Sequence, residues 1–133
     1  MSESTSKSPT HTPNTKTRWL VFTDLDGTLL DHHNYNFTAA IPSLRALEWL
    51  QIPVIANTSK TFAEMLELRA KLNNKHPFIT ENGAAIYIPE NYFSLQPQDT
   101  HKIEVNGQRF WLHINGKPRS HWQAVLSLSL IHI

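Results

Sequence analysis

Asp24 and Asp26 stand two positions apart in the stretch Trp19-Leu20-Val21-Phe22-Thr23-Asp24-Leu25-Asp26-Gly27-Thr28-Leu29-Leu30-Asp31. On an extended backbone that spacing sends both carboxylates to the same side. Two acids placed so close repel each other, and a cation or a shared proton relieves the cost. Such a pair can hold a divalent metal and take part in phosphoryl transfer. Gly27 permits an abrupt turn, and Thr28 sets a hydroxyl beside it. Asp and Gly are also ordinary turn residues, so a solvated turn would account for Asp26-Gly27. It would not account for an acid that directly follows an apolar run.

Two further groups carry possible chemistry. Thr58-Ser59-Lys60 stands just before a predicted helix, where free backbone N–H groups, hydroxyls and a lysine suit an anion such as phosphate. Ser59 and Thr61 acting only as helix caps explain the hydroxyls equally well, and a single surface lysine needs little explanation. Asn82-Gly83, in Glu81-Asn82-Gly83-Ala84, is either a site element or simply a good hairpin turn. The neighbouring His32 and His33 lie in a polar loop with no third ligand at a familiar spacing, so they read as exposed side chains.

The elements that must position these groups follow from periodicity. Trp19–Thr23 reads as a strand of apolar, aromatic and β-branched residues. A helix is expected from Thr38 to near Gln51, with Pro42 in its first turn and Ile41, Leu44, Leu47 and Leu50 on one face. Pro53–Asn57 is a second short strand. The next helix has capping-box spacing between Thr61 and Glu64, and Phe62, Met65, Leu66, Arg69 and Leu72 share a face through their apolar parts. Pro77–Thr80 is a third strand, leading through Asn82-Gly83 into Ala85–Ile88. Strand, helix, strand, helix, strand indicates an α/β fold with a parallel sheet. Open sheets of this kind bind ligands beyond the carboxyl ends of their strands, and Asp24, Thr58 and Asn82 each fall just past one.

Beyond Glu90 a polar loop runs to Thr100. A β-hairpin is then expected, Lys102–Val105 and Arg109–Ile114 around Asn106-Gly107, with Phe110, Leu112 and Ile114 alternating. Asn115-Gly116-Lys117-Pro118 makes another turn, and a helix starting near Ser120 would carry Trp122, Val125 and Leu126 as core residues. Met1 to about Thr17 is Ser, Thr, Pro, Lys and Asn, with too little apolar surface to offset its ordering entropy, and reads as a disordered tail.

At 133 residues the chain is long enough for one domain with a core. Twelve basic against eleven acidic residues create no field that argues for nucleic acid or a membrane surface. The absence of cysteine excludes disulfides and thiolate metal sites and fits a reducing compartment. No apolar run approaches a membrane span, and the N-terminus lacks the apolar core of a secretory signal. A soluble, cytoplasmic chain is the expectation, with no signal for oligomeric state.

The stretch from Trp19 through Asp31 resembles the first signature of the haloacid dehalogenase-like (HAD) phosphatases, an apolar strand followed by Asp-x-Asp-Gly-Thr-Leu. Taken with Asn57-Thr58-Ser59-Lys60-Thr61 and Glu81-Asn82-Gly83-Ala84, it is similar to the mannosyl-3-phosphoglycerate phosphatase family, where a Thr/Ser-Ser-Lys version typically replaces the common Thr-Gly-Arg. The Gly116-Lys117-Pro118 turn also resembles the beginning of that family's cap domain, so the likeness covers about Trp19 to Leu126.

This resemblance implies a partial HAD-type Rossmann-like core at 18–100 and the start of an α+β cap at 101–127. It implies that Asp24 attacks the substrate phosphorus to give an aspartyl-phosphate, and that Asp26 protonates the departing oxygen and later activates water. Mg²⁺ would be held by the Asp24 carboxylate and the Asp26 backbone carbonyl. Thr58 would donate to the phosphoryl group, with Ser59, Lys60 and Asn82 lining the site. The substrate would be a small phosphorylated sugar acid, mannosyl-3-phosphoglycerate, with glucosyl-3-phosphoglycerate or another sugar phosphate as the alternative.

The chain departs from this pattern in lacking a late Gly-Asp-x-x-x-Asp strand to complete the magnesium shell, and a late lysine. An N-terminal portion of a longer enzyme, inactive by itself, is therefore expected, and a non-catalytic fragment or binding module is the reading from another class. The final Leu128-Ser129-Leu130-Ile131-His132-Ile133 can be encoded by CTG-TCT-CTT-ATA-CAC-ATC, a transposon-end sequence used in fragment-library preparation, and is read as adapter translation at 128–133. A short amphipathic strand is the alternative.

Overall fold

A computed structural model describes residues 18–117, together with 120, 121, 123–125 and 127. The tail through Thr17, Pro118, Arg119, Trp122, Leu126 and the segment 128–133 lie outside the described residues. Strands β1 (Val21–Thr23), β2 (Val54–Asn57), β3 (Phe78–Thr80), β4 (Ala85–Pro89), β5 (His101–Val105) and β6 (Gln108–Ile114) form one six-stranded sheet in the order β1-β2-β3-β4-β6-β5. Helix α1 (Ile41–Trp49) links β1 to β2, and α2 (Phe62–Leu72) links β2 to β3. Strands β1, β2 and β3 run parallel, as two helical crossovers require, and the Asn82-Gly83 turn reverses the chain so that β4 is antiparallel to β3. The fold is thus α/β, with a parallel portion of three strands inside a mixed sheet. Strands β6 and β5 continue that same sheet beside β4.

The pairing register divides the sheet into two faces. Ala56, Phe78 and Tyr87 oppose one another across successive strands and share a face. With Met65 of α2, Phe110 of β6, Leu25 and Leu30 they form the buried core. Phe62 of α2 stacks on Tyr87 with ring centroids 4.3 Å apart, which fixes this helix over the sheet. α2 begins in a complete capping box. The Thr61 hydroxyl accepts from Glu64 N–H, and the Glu64 side chain accepts from Thr61 N–H at 2.8 Å. Asn73, in the left-handed region, ends it.

Three expectations need correction. The first strand is Val21–Thr23, not Trp19–Thr23, and among the described residues it is an edge, with Trp19, Leu20 and Phe22 exposed. Val21 N–H donates to Pro53 O, but Pro53 has no N–H to return, so the ladder with β2 stops there. On α1, Ile41, Leu44 and Leu47 are half-buried on one face as expected, whereas Leu50 is the C-cap and is exposed. Arg69 does not cover the core with its stem alone; the whole residue is buried.

Candidate active site

Asp24 follows the last residue of β1, and burial alternates over Asp24-Leu25-Asp26: both acids are exposed and Leu25 between them is fully buried. Leu25 therefore anchors the turn in the core while the acids face outward. Leu25 N–H donates to Asp24 Oδ1 at 2.7 Å, which orients that carboxylate. The turn closes through Gly27 N–H to Leu30 O and Leu30 N–H to Leu25 O. Gly27 has φ +73°, a conformation that a side chain would strain.

The other two predicted groups are clasped together. Asn82 N–H donates to Thr58 O at 3.0 Å, and Glu81 N–H to Lys60 O at 3.1 Å, so the loops after β2 and β3 form one unit. Thr58 is 3% exposed, and its hydroxyl accepts from Lys60 N–H, which leaves the hydroxyl proton to donate elsewhere. Glu81, Asn82 and Gly83 all have positive φ, so the turn that carries Asn82 is a run of left-handed residues. Such a run is costly for non-glycine residues and persists because the surrounding bonds determine it.

Asp24, Thr58, Ser59 and Asn82 line a single open cleft of about 600 Å³, with Phe22, Ile79 and Ile86 as its apolar part. Asp26 and Lys60 are not among its lining residues. They are joined to each other, Lys60 Nζ 3.0 Å from Asp26 Oδ1, and Lys60 also lies over the Tyr35 ring at 5.3 Å. Asp31 sits outside the cleft, where the backbone N–H groups of His33 and then Asn34 hold its carboxyl below the usual range.

Sequence reasoning missed Asn57 and Asn115, which also line the cleft. Asn115 Nδ2 donates to Gly83 O at 2.7 Å, and its N–H donates to Ala84 O, bracing the turn that presents Asn82. The only signal for it was its place in the Asn115-Gly116 turn. His32 and His33 are exposed, and among the described residues no three His, Cys, Asp or Glu side chains cluster as a metal site. The donors that the family resemblance implies, the Asp24 carboxylate and the Asp26 backbone carbonyl, are hard oxygens. That chemistry fits Mg²⁺, which commonly uses one or two carboxylates with waters and substrate phosphate.

A sequence profile of haloacid dehalogenase-like hydrolases matches residues 21–108. The chain is 50% identical over 84 residues to a glucosyl-3-phosphoglycerate/mannosyl-3-phosphoglycerate phosphatase of Methanococcoides burtonii, covering 63% of this chain and 31% of that protein. It is 48% identical over 77 residues to a mannosyl-3-phosphoglycerate phosphatase of Pyrococcus furiosus, covering 58% of this chain and 31% of that one. The chain therefore spans about a third of the length of these relatives. A solved haloacid dehalogenase-like hydrolase from B. subtilis shares the fold, with a TM-score of 0.54 at 24% identity over 82% of this chain and 32% of that one. The profile begins at β1, takes in both loops of the clasp and ends at the start of β6, so it covers every residue lining the cleft except Asn115: the chain belongs to the haloacid dehalogenase-like hydrolases.

Proposed function

We propose that the whole protein is a phosphoric monoester hydrolase acting on a small phosphorylated sugar acid, mannosyl-3-phosphoglycerate first and glucosyl-3-phosphoglycerate as the alternative. The observation that carries this reading is the shared cleft. A carboxylate after β1, a threonine hydroxyl after β2 and an asparagine after β3 meet where a phosphate would be handled. The names of the relatives support the substrate class.

In this mechanism an Asp24 carboxylate oxygen attacks phosphorus, and the ester P–O bond breaks. Asp26 gives its proton to the departing sugar-acid oxygen. Asp26 then takes a proton from water, whose oxygen attacks the same phosphorus, releasing phosphate and restoring Asp24. Thr58 donates its hydroxyl proton to a phosphoryl oxygen, and Asn82 and Ser59 orient the group. Lys60 holds Asp26 beside the cleft, so proton delivery requires Asp26 to turn from this contact toward the substrate. Asp24 and the Asp26 carbonyl would hold Mg²⁺, which when bound neutralises charge on the phosphate. We also propose 18–100 as the core, 101–127 as the start of a cap whose first strands, β5 and β6, extend the core sheet beside β4, and the cytoplasm as compartment. Among the described residues no helix is long and apolar enough to cross a membrane.

The test is phosphate release from both glycosides with Mg²⁺, using the chain extended along its genomic reading frame. Asp24→Asn is expected to abolish turnover while leaving the circular dichroism spectrum and melting curve intact; normal activity in this variant would sink the mechanism. A non-catalytic role for the 133-residue chain alone is the second reading, favoured by the two-acid donor set. Magnesium-dependent phosphate release by that chain would exclude it.

A further inference from the structure

The end of the sheet opposite the cleft holds a second cavity, of about 390 Å³, where β3 and β6 begin and β4 ends. Arg69, Lys75, Glu90, Gln108 and Arg109 line it. Arg69 is the unusual member. It is only 8% exposed, yet among the described residues no carboxylate lies within ion-pair distance of it. Nη2 donates to His76 O at 2.9 Å, and the guanidinium lies 4.5 Å from the Phe78 ring centre and 5.8 Å from that of Phe110. Nε is buried with no hydrogen-bond partner.

Removing a guanidinium from water without a counter-ion is costly, and an unpaired buried N–H adds to the cost. The two rings offset part of it through their quadrupoles. Burial pushes the Arg69 pKa down to about 10, which still leaves it charged at neutral pH. Glu90 does not supply the missing charge. It lies 2.7 Å from Arg109 Nε and 3.9 Å from Lys102 Nζ, so its charge is paired, although its buried Oε2 accepts no hydrogen bond. Three cations, Arg69, Lys75 and Arg109, therefore line the cavity with one carboxylate, leaving an excess of two positive charges.

We propose that this cavity is an anion site, separate from the cleft, that takes a dianionic phosphate group, with the buried Arg69 guanidinium as its fixed charge and Lys75 and Arg109 at its mouth. The charge of the ligand matches the excess.

The experiment is ¹⁵N NMR of the full 133-residue chain without metal, titrated with inorganic phosphate and separately with glycerol 1-phosphate, to tell a free anion from a phosphate ester. The Arg69 Nε–H resonance, assigned with Arg69→Lys, is expected to shift and saturate with one or both probes. Lys75 is exposed, so Lys75→Gln keeps the fold, and it is expected to weaken that binding roughly fivefold, as loss of one exposed ionic contact does. The shift is expected to persist in Thr58→Val, which changes the cleft and the bond from Lys60 N–H at the other end of the sheet, with an unchanged circular dichroism spectrum as the check on folding. An Arg69 resonance that moves with neither probe, or whose movement disappears in Thr58→Val, overturns the proposal.

Discussion

At the scale of single residues the proposed proton transfer depends on where Asp26 is held. Lys60 is tied into the clasp by its own backbone, through its N–H to Thr58 Oγ1 and its carbonyl from Glu81 N–H, and its side chain carries that rigidity to Asp26 at 3.0 Å. In the proposed mechanism this contact would make Lys60 a positioning residue, acting through a carboxylate, where the family resemblance implies a substrate-binding role. Lys60→Met in the extended enzyme is expected to lower kcat roughly ten- to a hundredfold, the scale of misplacing a catalytic group by about 1 Å, with KM little changed. Lys60→Arg should restore part of kcat, and a KM effect without a kcat effect would instead assign Lys60 to substrate binding. The sequence showed that Lys60 and Asp26 both belonged to chemical motifs. It could not show the pair, because their contact depends on β1 and β2 being neighbours in space. Arg69 teaches the same point: helical periodicity placed it on the inner face, but only the ring positions of Phe78 and Phe110 explain why its charged end is buried too.

At the scale of elements, the strand ends were legible because the rule behind them is local: a short apolar run, then a residue that leaves the sheet. Asp24, Thr58 and Asn82 all obey it. The β1 start was not legible, since Pro53 ends the ladder from the partner strand. The α2 start was fully legible, because Thr61 and Glu64 satisfy each other within one turn. Thr61→Ala is expected to cost about 1 kcal/mol of stability, measured by urea unfolding. The same box has a pH signature. The hydrogen bond from Thr61 N–H, followed by that from its hydroxyl, holds the Glu64 pKa below the usual glutamate value. A depressed folded-state pKa stabilises the fold above the unfolded value, and that contribution is lost as pH falls through the folded one. Melting temperature between pH 6 and roughly pH 3 should fall more steeply in the wild type than in Glu64→Gln. Parallel slopes would mean that the carboxylate is not held by the cap.

At the scale of the whole molecule, the two faces of the sheet are unequally covered. One carries the core under α2, whereas on the other Phe22 is 59% exposed beside half-buried Ile79 and Ile86. Phe22 also sits on β1, whose outer edge has no partner strand among the described residues, with Trp19 and Leu20 exposed alongside. An apolar face next to an unpaired edge is the combination that drives association. The chain spans about a third of its relatives' length, so the same surface is the natural place for further chain of a longer protein to pack. The 133-residue chain by itself is expected to bind the dye ANS and to self-associate with rising concentration in sedimentation velocity. Phe22→Ser should lower both signals without altering the melting curve by more than about 1 kcal/mol, since the ring is mostly in water already. The chain extended along its reading frame should bind little dye, and Phe22→Ser should then become destabilising by roughly 2–4 kcal/mol, because the ring is then buried and its loss leaves a cavity. If the substitution costs the same in both lengths, β1 is an edge in the complete protein as well, and its apolar face belongs to solvent or to a partner.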